Sequence, residues 1–251
     1  MISSKDFVGA LEKGLQVITA FDTASSRLSS SDVATKLGIT RAAARRFLLT
    51  LVELEYAELD GRHFSITPKV LHLSRAHLVG NPVFRVTQQV LESIASETEE
   101  SASLGVLTGS DILFVARAAS PRPVSISIAV GTKFPAHRTA MGRVLLAEMP
   151  DARLLKLLSS SSDSNSAKYT KAQINEVVSG VRRVRAQGYA TNIGELEMGL
   201  NAIAVPVRNS AGEATMAIGL SVPASRKSRE QMITDFLPRL GAGAAELSSF
   251  H

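Results

Sequence analysis

Two short amphipathic helices separated by only three residues constrain this chain more than any other feature. Ser29 is placed to cap the first, with Asp32 three residues on in a capping-box position. Val33, Ala34 and Leu37 give that helix its apolar face, and Gly38 follows as a C-terminal stop. The second helix starts at Thr40, with Ala44, Phe47, Leu48, Leu51 and Leu54 at helical spacing on an inner face. A connection as short as Gly38-Ile39-Thr40 makes the two helices cross tightly and leaves the far face of the second one outside. That outer face carries Arg41, Ala42, Arg45 and Leu49, with Arg46 beside them.

The flanking segments complete the pattern. Upstream, Val8, Leu11, Leu15 and Ile18 recur at spacings of three and four and predict another helix with one apolar face. Downstream, Tyr56–Leu59 and His63–Ile66 alternate around Asp60-Gly61, a hairpin signal. Three short helices and a hairpin make a winged helix-turn-helix, whose third helix offers its outer face to the major groove. Thr40, Arg41 and Ala42 then stand at the end of the helix that meets base edges. Arg45 and Arg46 are in reach of phosphates or guanine, and Arg62 at the hairpin tip is in reach of a flanking phosphate. Arginines on a helix are by themselves also what a solvated face looks like; the whole pattern favours double-stranded DNA. Residues 1–78 hold ten Lys plus Arg against eight Asp plus Glu, so the charge must act through its position. One such domain binds weakly, which makes a dimer reading two half-sites the expectation.

The rest of the chain changes character. Leu71, His72, Arg75 and Leu78 predict an exposed connecting helix over Pro68–Leu78. Gly80-Asn81-Pro82 breaks it, with Asn81 as cap and Pro82 in the first turn of a helix whose apolar face is Val83, Val86, Val90 and Ile94. The boundary near residue 79 gives domains 1–78 and 79–251. Strands are predicted over Ser103–Leu107, Asp111–Ala116, Val124–Val130, Ala202–Arg208 and Ala214–Val222. Helices are predicted over Thr139–Glu148, Asp151–Leu158, Thr170–Gln187 and Ser228–Ser248, with a polar loop at Ser159–Ala167. Strands that arrive in groups, with helices between the groups, indicate an α+β class with an antiparallel sheet.

Composition narrows the function classes. The 45% hydrophobic content supports a real core, and the absence of Cys removes disulfides, thiolate metal sites and a Cys nucleophile. A net charge of +5 permits a polyanionic partner without demanding one. With 5% aromatic residues and no Trp, a single-strand binder built on stacking platforms is disfavoured. The start Met1-Ile2-Ser3-Ser4-Lys5-Asp6 lacks the pattern of a signal peptide, and no apolar run has the ~18 residues of a membrane span, so the expected location is cytoplasmic. His72 and His77 are five apart and do not share a helix face as a metal pair would. No HExxH, GxSxG or phosphate-cradling glycine loop occurs, and Glu195 and Glu197 in a loop do not define an acid–base pair. The expectation is therefore no metal, no cofactor, no catalytic residue and no enzyme. A purely structural DNA-binding protein is disfavoured by the size of the second domain.

Several stretches together resemble the IclR family of bacterial transcriptional regulators, over about residues 8 to 249. They are Leu28-Ser29 through Ala34, Leu37 to Leu48, Val130 to His137, Thr139 to Ala147, Arg185 to Ala190, Gly199-Leu200, Ala204 to Val207 and Leu220 to Arg226. Thr40 to Leu48, Ser125 to Val130 and Met141-Gly142-Arg143 look most like the branch that regulates aromatic-acid catabolism, the β-ketoadipate, protocatechuate and 4-hydroxybenzoate group. The resemblance implies a winged helix-turn-helix, a linker helix and a GAF-like antiparallel-sheet effector domain. It further implies a homodimer or tetramer, paired through the N-terminal domains, on operator DNA.

The resemblance also implies effector contacts at Ala140 and Met141, and at Ile126, Phe134, Asn192, Leu200, Ala202, Gly219 and Ser221. Independent chemistry supports the first two. Thr139 can cap the helix, leaving the amides of Ala140, Met141 and Gly142 for a carboxylate, while His137 and Arg138 add positive charge. The same residues also read as a capped helix with small packing residues, His137 as structural and Arg138 as solvent-facing. Some members carry an acidic residue, a Cys and a Ser where this chain has Asn192, Ala202 and Gly219, and those members take small keto acids. The smaller, uncharged set here predicts a roomier pocket and an aromatic acid as effector. The alternatives are a small keto acid or, less well supported, a GAF-like enzyme.

Overall fold

The computed structural model describes residues 6–22, 25–74, 82–122, 128–160 and 169–250. The chain divides into two compact units, Met1–Gly80 and Asn81–His251.

The first unit holds α1 (Gly9–Thr19), α2 (Ser30–Leu37) and α3 (Arg41–Glu53). They pack with a three-stranded antiparallel sheet of order β1-β3-β2, made of β1 (Leu28–Ser29), β2 (Ala57–Asp60) and β3 (His63–Ile66). Val17, Val33, Ala44, Leu48, Leu51 and Phe64 are its buried centre. Asp60 pairs with His63, so the hairpin turn is Gly61-Arg62, one residue later than the sequence suggested. Gly61 has φ +60°, which a first turn position of this kind demands and glycine supplies freely. The two-residue β1 has no sequence signal of its own and forms by pairing Leu28 with Phe64.

Two expectations fail in this unit. Leu54 is 52% exposed because α3 ends at Glu53 and Leu54 is already its C-cap. The stripe read on α1 is largely uncovered, with Val8 62%, Leu11 63% and Leu15 51% exposed, while Val17 supplies the helix's buried contact. The connecting segment opens as a 3-10 turn at Pro68–Leu71, capped by Thr67, and residues 72–74 are helical. Arg75–Leu78 and the cap assigned to Asn81 lie outside the described residues.

The second unit is a six-stranded antiparallel sheet of order β6-β5-β4-β9-β8-β7. Its strands are β4 (Ser101–Thr108), β5 (Asp111–Ala118), β6 (Lys133–Pro135), β7 (Ala190–Ile193), β8 (Leu200–Arg208) and β9 (Ala214–Pro223). Strand β7 was not read from the sequence. Of the third strand expected at Val124–Val130, residues 124–127 lie outside the described residues; Ile128-Ala129-Val130 form no strand, and among the described residues β6 pairs with β5 at the edge. Helices cover both faces. On one, α4 (Pro82–Thr98) and α8 (Arg229–Ser248) pack Leu91, Ile94, Phe236 and Leu240 against Leu104, Ile203 and Leu220. On the other lie α5 (Ala140–Leu146), α6 (Asp151–Ser160) and α7 (Lys171–Gln187), over Phe114, Ala204 and Ala217. Coverage on both faces explains why β4 and β9 read as apolar runs. Thr170 with Gln173 and Ser228 with Gln231 form capping boxes at the starts of α7 and α8.

The small residues of α5 have a mechanical role. A Cβ on Gly142 would overlap the backbone of Ala136, so only glycine lets the first turn of α5 fold back onto the preceding 3-10 turn. Gly142→Ala is expected to cost about 3 kcal/mol by urea denaturation. Gly180→Ala in α7, where only the Arg183 guanidinium comes within 3.8 Å, is expected to be neutral or to gain up to about 1 kcal/mol.

Candidate nucleic-acid interface and ligand cavity

The helix-turn-helix is built by local hydrogen bonds. Ser29 and Asp32 form a complete capping box, with the Ser29 amide donating to Asp32 Oδ2 at 2.8 Å and the Asp32 amide donating to Ser29 Oγ at 3.3 Å. The Ser29 hydroxyl and then the Ser29 amide, both donating to the Asp32 carboxylate, hold it below its ordinary range, aided by the nearby charges of His63 and Arg62. Gly38 ends α2 at φ +62°, and the amides of Gly38 and Ile39 both return to the Ala34 carbonyl. Thr40 then caps α3 by accepting from the Ala43 amide at 3.2 Å.

Charge in this unit is sorted by position. Arg27 is paired with Asp60, Lys36 with Asp22 and Lys69 with Glu55. Arg41, Arg45, Arg46 and Arg62 form no salt bridge among the described residues, and all are exposed. Arg41, Arg45, Arg62 and His63 line one groove between the start of α3 and the hairpin tip. Thr40 and Ala42 stand exposed at the same end of α3. Three of the unpaired arginines thus converge on one surface. A face that is merely solvated has no reason to show that division.

The second unit holds a cavity between α5 and the sheet. Thr139, Ala140, Met141, Asn192, Leu200, Ala202, Gly219 and Ser221 line it, as expected from the sequence. Strand register explains their meeting. Asn192 pairs with Ala202 and Ala202 with Ser221, while Gly219 pairs with Ala204 and Ser103, so one face of β7, β8, β9 and β4 forms the floor. Ser103, Phe114, Ile128, Leu196, Ile203 and Leu220 complete the lining and were missed. Ser103 and Phe114 were legible only as alternating residues of strands whose pairing was unknown, and Leu196 comes from a loop with no pattern.

Of the other four expected positions, three stand elsewhere. Ile126 lies outside the described residues. Phe134 packs edge-on against Phe114, at 5.8 Å between ring centroids, and braces the lining from behind. His137 and Arg138 are not in the cavity. Their 3-10 turn buries Ala136 instead, and they line a separate outer depression with Arg143 and Glu195. His137 meets the Tyr169 ring edge-on at 5.0 Å, and Arg138 donates to the Glu195 carbonyl at 2.8 Å. Glu195 is held by a two-pronged pair with Arg143. Asn192 is a structural bridge: its Nδ2 donates to the Arg138 carbonyl at 2.6 Å and its Oδ1 accepts from the Glu195 amide at 3.2 Å.

The cavity is neutral and nearly filled. Its open volume is about 30 Å³, space for one or two waters and far below the ~300 Å³ at the small end of ligand pockets. The expected roominess is corrected, because Met141 occupies the volume that Ala202 and Gly219 leave. Its Cγ comes within 3.1 Å of where a Gly219 Cβ would stand, and its Cε within 3.3 Å of the same point on Gly105. The Gly142 amide is also committed, donating to Thr139 Oγ1 at 2.9 Å. Only Ala140 and Met141 keep first-turn amides without an intrahelical acceptor. Among the described residues no ionisable side chain lines the cavity, so this lining offers no general acid or base. No group of three or more His, Asp or Glu side chains is gathered for a metal among those residues, and none of their helices is long and apolar enough to cross a membrane.

Comparison with known proteins agrees with both halves. Residues 10–61 match the IclR helix-turn-helix domain, and residues 75–249 match the bacterial transcriptional regulator IclR C-terminal domain. The chain is 37% identical over 243 residues to the Pca regulon regulatory protein of Pseudomonas putida, covering 96% of this chain and 84% of that one. It is 31% identical over 251 residues to the p-hydroxybenzoate hydroxylase transcriptional activator of Acinetobacter baylyi, covering 98% and 93%. Among solved structures, the PobR transcription factor inducer-binding domain from Acinetobacter is similar with a TM-score of 0.58 and 26% identity. That structure is a double mutant in complex with 3-hydroxybenzoic acid, and the match covers 65% of this chain and 96% of that one.

The Asn192 bridge yields a direct test. Asn192→Asp keeps the acceptor for the Glu195 amide but sets a carboxylate against the Arg138 carbonyl. It is expected to cost about 2 kcal/mol in thermal unfolding.

Proposed function

The chain belongs to the IclR family of bacterial transcriptional regulators, and on that premise we propose that it controls a catabolic operon in the cytoplasm in response to an aromatic acid. The observation that carries the DNA-binding residues is the set of three arginines without salt bridges, Arg41, Arg45 and Arg62, around one groove, with Arg46 exposed beside them on α3. Arg41, with Thr40 and Ala42, enters the major groove at the start of α3. Arg45 and Arg46 take guanine edges or phosphates, and Arg62 takes a phosphate beyond the hairpin. The bare stripe of Val8, Leu11 and Leu15 on α1 supports pairing with a second copy. A homodimer, alone or doubled into a tetramer, then presents two recognition helices to half-sites roughly 34 Å apart.

The effector occupies the C-terminal cavity. Its carboxylate lies against the amides of Ala140 and Met141 at the positive end of α5. Its ring lies among Leu200, Ala202 and the aromatic wall of Phe114, with Asn192, Gly219 and Ser221 completing the enclosure. Phe134 acts through Phe114. Arg138 contributes by holding the loop at Glu195, and His137 by packing on Tyr169, rather than by touching ligand. The relatives named for aromatic-acid regulons support this class over small keto acids, as do the neutral Asn192 and the small Ala202 and Gly219. Met141 is the side chain that must yield, and an unbranched thioether yields easily. The segment Pro68–Leu78 carries the change to the DNA-binding unit. The regulator needs no cofactor and no catalytic residue.

Two measurements test this reading. With promoter fragments flanking its own gene, Arg45→Ala is expected to weaken binding about 10- to 100-fold, and Arg62→Ala to reduce the salt dependence by about one phosphate contact. Both variants should keep the ligand response; unaltered DNA affinity in both would remove the recognition-helix assignment. In thermal-shift assays 4-hydroxybenzoate should raise the melting temperature, because it binds the folded state. Ala202→Trp, which fills the floor, should abolish that shift, and a panel in which pyruvate alone protects would reverse the effector class.

A further inference from the structure

One cavity hydroxyl has no task in the account so far. Ser103 on β4 is 4% exposed and lines the cavity. Its cross-strand partner on β9 is Gly219, so no side chain covers it from that side. Its partner on β5 is Arg117, whose Nη2 donates instead to Ser101 Oγ at 2.9 Å. Among the described residues no hydrogen bond engages the Ser103 hydroxyl. Ser221 stands two residues from Gly219 along β9 and faces the same way, which places the two serines diagonally across the strand pair, about 7–8 Å apart.

The Ser103 oxygen still reaches the open space of the cavity, so a ligand that fills the cavity must either pair with this hydroxyl or strip it of water at a desolvation cost. The chemistry of that group follows from the surroundings. A serine both donates and accepts, and so does a phenolic hydroxyl. A carboxylate at this position would be desolvated against a lining that holds no charge, which is unfavourable. We infer that Ser103 is the specificity-determining contact for a hydroxyl on the effector's ring, at the sheet floor of the cavity. This rests on the aromatic-acid reading of the cavity. It gives the site a means of rejecting the same acid without its hydroxyl, because the unfilled position leaves a buried polar group unpaired.

Calorimetry of the full-length protein with 4-hydroxybenzoate and with benzoate tests the assignment. The wild type should prefer 4-hydroxybenzoate by at least about tenfold, and Ser103→Ala should lower that affinity by about tenfold while holding benzoate within about twofold. The preference then falls toward one. Ser103→Cys, nearly the same size with a weak donor, should move the ratio in the same direction and serves if the alanine variant does not fold. Equal binding of the two acids by the wild type, or an undiminished preference in a folded variant, overturns the Ser103 assignment and leaves the aromatic-acid reading standing. A wild type that binds neither acid overturns that reading and this inference together.

Discussion

The closeness of α5 to its own preceding turn decides most of what the second unit can do. Thr139 Oγ1 accepts from the Gly142 amide and donates to the Ala136 carbonyl, so one hydroxyl ties the cap, the helix and the turn together. The missing side chain at Gly142 makes the approach possible. Once the turn is pinned with Ala136 inward, His137 and Arg138 have only the outer surface left to them. The Arg138 carbonyl is then offered to Asn192, and the Arg138 guanidinium to the loop at Glu195. The cavity wall on that side is therefore backbone and small apolar groups, and its neutrality is a consequence of helix packing.

The first unit solves a different problem, that of presenting cations without dispersing them. Its ten basic residues nearly balance eight acidic ones, so a uniform mixture would present no field. Pairing Arg27, Lys36 and Lys69 with acids elsewhere on the unit cancels those charges locally. Arg41, Arg45 and Arg46 on the outer face of α3 and Arg62 at the hairpin tip stay unpaired among the described residues. Exposed pairs of this kind add little stability. Their effect is on the shape of the potential, which steers a polyanion to one face.

Legibility in the sequence followed the range of the interactions. Elements fixed by contacts within four residues were readable: the Ser29–Asp32 box, the Gly38 stop, the Thr40 and Thr139 caps, and α7 between Thr170 and Gly188. The antiparallel class followed from element order alone. Elements fixed by distant pairing were not readable. Strand β1 exists only because β3 accepts it, and β7 is four residues laid on β8. The same distinction separates the site residues. Strand neighbours that the family resemblance supplied did converge on the cavity, but the direction in which His137 and Arg138 point depends on the turn at Ala136, which leaves no mark in residue spacing. The stripe on α1 was legible as an apolar face and misleading as to its cover, because spacing reports that a face is apolar and not which molecule buries it.

A cavity of about 30 Å³ beneath a movable methionine has a consequence for regulation. A ligand can shift an equilibrium only by binding one state better than another. A preformed pocket of full size would admit the effector whatever the rest of the molecule did, and would couple to nothing. On the aromatic-acid reading, an entering acid displaces Met141, which sits on the first turn of a helix pinned to Ala136 and, through Asn192, to the loop at Glu195. On the aromatic-acid reading, the closed and opened forms of the cavity are thus the two states whose affinities differ. On that reading, the tight packing around Gly105, Gly142 and Gly219 opposes entry of ligand into the filled form, which would couple occupancy to conformation.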